Sequence, residues 1–471
     1  MILPEYKDAE KVFYFFEEIS KIPHASENTG PIADWLVAFA KERGLWYYRD
    51  GKNNVIIRKP ATAGYEKRPT VIFQGHTDMV ADKVAGCNID MSREGLQIYR
   101  DGDFIRAEGT TLGGDDGVAL AYALAVLDSS DIEHPEFEAL FTSDEEIGLL
   151  GATALDASVL HGKILVNIDS DEEGVFTVGC AGGLRVDMTV NGKLMADEAT
   201  KYRLGVSGLI GGHSGTEIDK GRENAIKILA EILSATSDVR IVTISGGNAD
   251  NAIPRYAECV FSSNKADSLF GKIEEAKAKY GVRESGIEIL LEAAGVSGAS
   301  FDADTSRKVL EIISKTPSGV YKMSEEISGL PETSSNLGVV VTDGGRVTIS
   351  TSVRSSKNSE KSKLVAIIRE ISDSYGAGFG TRGEYPAWEY KADSYLRELM
   401  KKTYTDLYGK EPKVIIIHAG LECGIFADKI EGLDCVSIGP DNFDIHTPSE
   451  RLSISSTARV WEYLKELLKR I

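Results

Sequence analysis

Cysteine is scarce in this chain. Among 471 residues there are five, Cys87, Cys180, Cys259, Cys423 and Cys435, and no two form a Cys-x-x-Cys pair. A sparse, odd set in a chain of this length argues against a disulfide framework and a cysteine-held zinc site, and fits a reduced, cytosolic protein. Long apolar runs are missing too. The longest, residues 118–127, falls far short of the ~20 residues that a membrane-spanning helix needs. Basic charge is under-represented, with 53 Lys and Arg against 73 Asp and Glu and a net charge of −20. Such a surface repels phosphate backbones and anionic bilayers, so neither a nucleic-acid nor a membrane partner is expected. Glu5, Asp8 and Glu10 stand where a secretory leader would carry basic and then apolar residues, so no leader is expected. No internal repeat or low-complexity tract occurs.

What is present is a globular composition, 42% hydrophobic and 27% charged. At ~150 residues per domain, the length suggests about two or three domains. Apolar residues at helical spacing predict helices over 8–22 and 31–43 and a buried helix over 117–127. Short β-branched runs predict strands at 54–58, 70–74, 138–142 and 163–168. Helices alternating with strands imply an α/β layer with a mixed, mostly parallel sheet flanked by helices. After Gly183 the texture changes. Residues 185–190 alternate in polarity, as a half-exposed antiparallel strand does, and longer helices follow at 224–233 and 267–279. Near 387–390 the first pattern returns. The expectation is a discontinuous α/β domain, residues 1–183 and 391–471, interrupted by an inserted α+β domain, residues 184–390.

Chemistry-bearing residues gather where predicted strands end. The strand 70–74 runs into Gly75-His76-Thr77-Asp78, placing polar groups at the sheet's carboxyl edge, where open α/β folds keep their sites. Gly113-Gly114-Asp115-Asp116-Gly117 opens the apolar helix, and its glycines let the backbone approach another group closely. The strand 138–142 runs into Asp144-Glu145-Glu146, and 163–168 into Asp169. Each pattern alone is also what a capped turn or a solvated loop looks like. As a set, acids at successive strand ends repel one another and need solvent or a cation. With only seven histidines in the chain, His76 and His446 are the candidates to complete a cradle. Histidine with carboxylate and no cysteine suits a zinc, cobalt or manganese hydrolase centre. His24, His134 and His161 are expected at helix ends and in loops.

Taken in order, Gly75-His76-Thr77-Asp78, Gly114-Asp115-Asp116-Gly117, Asp144-Glu145-Glu146 and Asn167-Ile168-Asp169 resemble the co-catalytic dizinc exopeptidase family of aminoacylases, carboxypeptidases and dipeptidases. Gly211-Gly212-His213-Ser214-Gly215, Asn251-Ala252-Ile253-Pro254-Arg255, His418-Ala419-Gly420-Leu421-Glu422-Cys423-Gly424 and His446-Thr447-Pro448-Ser449-Glu450 resemble its aminoacyl-histidine dipeptidase branch. The resemblance spans nearly the whole chain and implies a catalytic domain (1–183 with 391–471) and a lid (184–390). It implies two divalent ions, with Zn²⁺ expected and Co²⁺ or Mn²⁺ compatible with the same donors. His76, Asp115 and Asp169 would hold one; Asp115 would bridge to the second, held also by Glu146 and His446. Glu145 would be the general base, and Asp78 would orient His76 through its other ring nitrogen. The resemblance makes His213 the lid histidine that steadies the oxyanion. Asn251 and Arg354 would bind the substrate's terminal carboxylate, and His418 and Glu422 would line the specificity pocket. Relatives usually have Asp-Asn where this chain has Asp115-Asp116; the preceding Thr111-Leu112-Gly113 favours Asp115 as the bridge and leaves Asp116 as a second contact. The implied activity is cytosolic hydrolysis of small unsubstituted dipeptides, carnosine-like Xaa-His among them. N-acyl amino-acid deacylation, tripeptide cleavage and metal binding without catalysis are the alternatives. A monomer, with His213 acting in its own chain, and a homodimer, with His213 delivered across it, both fit.

Overall fold

The computed structural model describes residues 4–471 apart from Ser297, Glu326 and Ser328. The chain divides into two compact units, one comprising Met1–Cys180, Tyr390–Ile416 and Leu421–Ile471, the other Ala181–Glu389 and Ile417–Gly420.

An eight-stranded sheet forms the frame of the first unit, in the order Trp46–Arg49, Val55–Lys59, Phe137–Thr142, Val71–His76, Ile164–Asn167, Asp434–Ser437, Val175–Cys180, Lys413–Ile417. Parallel pairing joins Phe137–Thr142, Val71–His76, Ile164–Asn167 and Asp434–Ser437. On either side of these four the pairing turns antiparallel, because Trp46–Arg49 and Val55–Lys59 form a hairpin and Val175–Cys180 runs back along Asp434–Ser437. The sheet is therefore mixed, with its parallel portion confined to the centre. Every residue of Val71–His76, Phe137–Thr142 and Ile164–Asn167 is buried, as expected of strands covered on both faces. The predicted apolar helix is Gly114–Asp128, buried from Gly117 to Leu127. It packs on Val71–His76, and Gly75 permits the approach: a Cβ there would stand 2.4 Å from Ala119 Cβ. The strands Trp46–Arg49, Ile98–Asp101, Phe104–Ala107 and Val175–Cys180 carried no sequence signal strong enough to predict them.

The second unit is built on a nine-stranded antiparallel sheet in which Pro331–Asp343, Arg346–Ser355 and Gly182–Asn191 are consecutive neighbours. Gly182–Asn191 alternates buried and half-buried residues from Leu184 onward, matching its polarity pattern. Helices Ala225–Leu233, Leu269–Tyr280, Ala303–Lys315 and Asn358–Ser374 contribute their apolar sides to one core with this sheet. Asn224 caps the first of them through its side-chain oxygen. Residues 417–420 lie in a segment expected to complete the first domain, yet they cluster with the second unit. Ala181 N–H donates to the carbonyls of Ile417 and Ala419, and His418 pairs with Ser334.

Candidate metal centre

The carboxyl ends of the central strands bring the predicted residues of the first unit together. His76 is the last residue of its strand and is fully buried. Its Nε2 lies 3.0 Å from Asp115 Oδ1 and 3.7 Å from Asp169 Oδ1. His446 Nε2 lies 3.2 Å from Asp115 Oδ2 and 2.9 Å from Glu146 Oε1. The Asp115 carboxylate thus stands between two imidazoles, one oxygen toward each. Among the described residues, three groups of three donors, one atom from each residue, fall within 4.8 Å: His76–Asp116–Asp169, His76–Glu145–Glu146 and Asp115–Glu146–His446. The third is the set expected for the second ion. On the other side the compact trio contains Asp116 in place of Asp115, although His76 Nε2 contacts Asp115 too. Asp116 is buried and its Oδ2 accepts the His76 backbone N–H at 3.2 Å, so it sits beneath the histidine as a second acidic contact.

These distances bear on whether the donor set fits a metal. Two donors bound to one tetrahedral zinc at ~2.0–2.1 Å stand roughly 3.3 Å apart. The imidazole-to-carboxylate separations, 2.9–3.7 Å, bracket that spacing. Among the described residues Glu146 Oε1 is buried and accepts no hydrogen bond although an imidazole nitrogen is 2.9 Å away, which is how two groups lie when both aim at a common point. The residues fit a pair of divalent ions held by nitrogen and oxygen.

The electrostatics say the same. Burial pushes the His76 pKa down, but its hydrogen bond to Asp115 and the nearby Asp169 carboxylate prevail, and it lies well above the ordinary range. A hydrogen bond to Asp115 and then the close Glu146 carboxylate raise His446 to about 10. Asp115 is held below the usual carboxylate range: burial opposes this, but hydrogen bonds from both histidines outweigh it. Burial raises Asp169 to about 6 and Glu145 well above its usual value, with neighbouring carboxylates adding to both. So dense a negative field calls for positive charge.

Asp78 departs from its expected role. His76 Nδ1 lies 2.9 Å from the main-chain carbonyl of Asp78, whereas the carboxylate is 3.7 Å off. The carboxylate instead accepts the backbone N–H groups of Glu145 (2.9 Å) and Glu146 (3.3 Å) and the Ser26 hydroxyl (2.8 Å). Asp78 therefore sets the histidine tautomer through its backbone and the acidic turn through its side chain. Ser26 had no motif to mark it. Glu422 departs as well. It is fully buried, its Oε2 accepting from Gln74 Nε2 (2.5 Å) and Thr142 Oγ1 (2.6 Å), and burial raises it to about 7. It braces the strands Val71–His76 and Phe137–Thr142 against each other through this one oxygen. His24, His134 and His161 each meet a neighbouring carbonyl or carboxylate and take no part in the three donor groups.

His213, Arg354 and His418 are neighbours in the second unit. His213 Nδ1 accepts the backbone N–H groups of Gly215 (3.3 Å) and Thr216 (3.2 Å), which leaves the ring hydrogen on Nε2. Arg354 is buried, its Nη1 donating to Tyr385 Oη at 3.0 Å, while Nε has no partner among the described residues. His418 Nε2 lies 2.7 Å from Ser334 Oγ, and burial, then Arg354, lowers it to about 4. Asn251 is exposed, and its carbonyl accepts the Ser214 N–H at 2.8 Å.

A catalytic-domain site of this kind, on this fold, defines a class. The chain belongs to peptidase family M20/M25/M40, whose sequence model matches residues 72–470. Among curated proteins it is 38% identical, over 97% of this chain and 96% of the relative, to the cytosol non-specific dipeptidase of Escherichia coli (strain K12). Among solved structures it is similar to aminoacylhistidine dipeptidase from Vibrio alginolyticus, with 36% identity, a TM-score of 0.89, and coverage of 98% of this chain and 96% of that one. Aminopeptidase PepT from Bacillus cereus ATCC 10987 shares the fold at 18% identity and a TM-score of 0.59, over 98% of each chain.

Proposed function

We propose that this chain is a cytosolic, metal-dependent dipeptidase that hydrolyses Xaa-His and other unsubstituted dipeptides. The observation that carries the reading is the Asp115 carboxylate, 3.0 Å from His76 on one side and 3.2 Å from His446 on the other. His76, Asp115 and Asp169, with Asp116 behind them, would hold one divalent ion. Asp115, Glu146 and His446 would hold a second, with zinc the ion the donors suit best. Bound there, such ions acidify water and polarise a peptide carbonyl. Glu145 takes the proton of the attacking water and returns it to the leaving amine. Asp78 holds the Glu145 and Glu146 main chain so that the two carboxylates keep separate duties. His213 offers its Nε2–H to the developing oxyanion. Arg354 and Asn251 take the substrate's terminal carboxylate, for which a guanidinium with an unpartnered Nε is equipped. The family relationship and the names of the two similar dipeptidases support this substrate class and compartment.

The test is elemental analysis joined to an assay on carnosine and Gly-His. The reading expects about two ions per chain, with hydrolysis lost to chelator and restored by Zn²⁺, Mn²⁺ or Co²⁺. Two ions without dipeptide cleavage would redirect the substrate to N-acyl amino acids or tripeptides, and no ion after reconstitution would overturn the centre.

A further inference from the structure

Glu450 lies four residues beyond His446 and is only 3% exposed. Its carboxylate enters the concave side of the turn that delivers Asp115. Oε2 accepts the backbone N–H groups of Leu112 (2.7 Å) and Gly113 (3.0 Å), and Oε1 those of Gly114 (2.9 Å) and Asp115 (3.2 Å). Oε1 also accepts from Asn442 Nδ2 at 3.2 Å. The glycines make the approach possible: a Cβ on Gly114 would stand 2.9 Å from Asn442 Nδ2 and 3.1 Å from Glu450 Oε1. Asn442 N–H in turn donates to the carbonyl of Asp171 at 3.0 Å, and Glu450 N–H donates to the carbonyl of Thr447 at 3.0 Å. One side chain therefore ties the main chain of Asp115 to the turn carrying His446 and, through Asn442, to the loop following Asp169. Both its oxygens are used in doing so, which leaves none for a metal. A carboxylate at the start of the helix Gly114–Asp128 is also placed where the backbone N–H groups are unpaired by the helix itself.

We propose that Glu450 is a positioning residue that presets Asp115 between His76 and His446, so that both ion sites depend on it. This rests on the metal-centre reading above. Glu450→Gln replaces one accepting oxygen with an amide NH₂ facing backbone N–H donors, so it loosens the clamp at nearly constant volume. Affinity is read by competition with a chromogenic chelator on the full chain, with circular dichroism confirming the fold. Removing outer partners of metal ligands typically weakens binding by about 10–100-fold, and a loss in that range, with a lower kcat, is expected for both ions. Val460→Ala, in the helix Ile454–Arg470, is the control that lowers Tm without touching the clamp, and it keeps wild-type affinity. If Glu450→Gln does not fold, Asn442→Ala, which deletes only one bond to Glu450, gives a smaller loss in the same direction. Wild-type affinity in Glu450→Gln, or in Asn442→Ala where the first variant fails to fold, overturns the clamp while leaving the centre intact. A wild-type chain that takes up no ion overturns the centre and the clamp together.

Discussion

Loading of the centre should expel protons, and the number can be worked from the geometry. In the metal-free chain His446 is raised to about 10 by Asp115 and Glu146, and His76 lies well above its ordinary value. His446 is 45% exposed, so solvent screens its ion pairs. Even a pKa about two units lower would leave it mostly protonated at pH 7. An imidazolium has no lone pair for a metal, so each histidine must lose one proton when an ion binds. Uptake at pH 7 is therefore expected to release about two protons per chain. Asp169, raised to about 6, is mostly ionised already; any proton on Glu145 adds to the count. Calorimetric titration with Zn²⁺ in buffers of different ionisation enthalpy measures the number directly. In His446→Ala, the release is expected to fall by about one proton and the second ion to be lost. Affinity should rise with pH, about tenfold per unit for each proton released. The sign for stability is the reverse. A histidine raised above its unfolded value stabilises the metal-free fold below that value, ~6.5, and the contribution fades as pH climbs through about 10. The metal-free Tm should thus decline from neutral to alkaline pH while loaded protein gains affinity. A binding enthalpy independent of buffer would refute the reasoning, because it would mean that the imidazoles carry no proton to lose when the ions bind.

Three further perturbations separate the roles. Glu145→Ala should retain both ions and lose about 10²–10⁴-fold in kcat; turnover near wild type would remove Glu145 as the base. Asp78→Ala orphans the Glu145 and Glu146 N–H groups, at about 1–3 kcal/mol for each buried donor left unpaired. Turnover should drop more than metal binding at His76, whose Nδ1 keeps its main-chain acceptor; metal loss equal to the activity loss would contradict the assignment. Leu124→Ala, at a fully buried position of the helix Gly114–Asp128, should cost about 2–5 kcal/mol in denaturant melts. A loss below about 1 kcal/mol would mean the helix is less tightly packed than its burial indicates.

Local pattern determined a good deal of this protein. Short β-branched runs marked the buried central strands, the longest continuous apolar run marked Gly114–Asp128, and acids following strand after strand marked the sheet edge that holds the site. These signals are legible because side-chain periodicity and burial are properties of a few consecutive residues. Glycines before Asp115 announced that something comes close, but the visitor is Glu450, 336 positions from Gly114 in the chain. Only the tertiary structure decided that pairing, the turning of each Asp115 oxygen to a different histidine, and the division of Asp78 into a backbone acceptor for His76 and a side-chain acceptor for Glu145. It also decided that His418 and Glu422, four residues apart, belong to different units. Hydrogen bonds and ion pairs depend on distances and directions between groups remote in sequence, and those are fixed only when the strands have taken their order and the loops have closed over them.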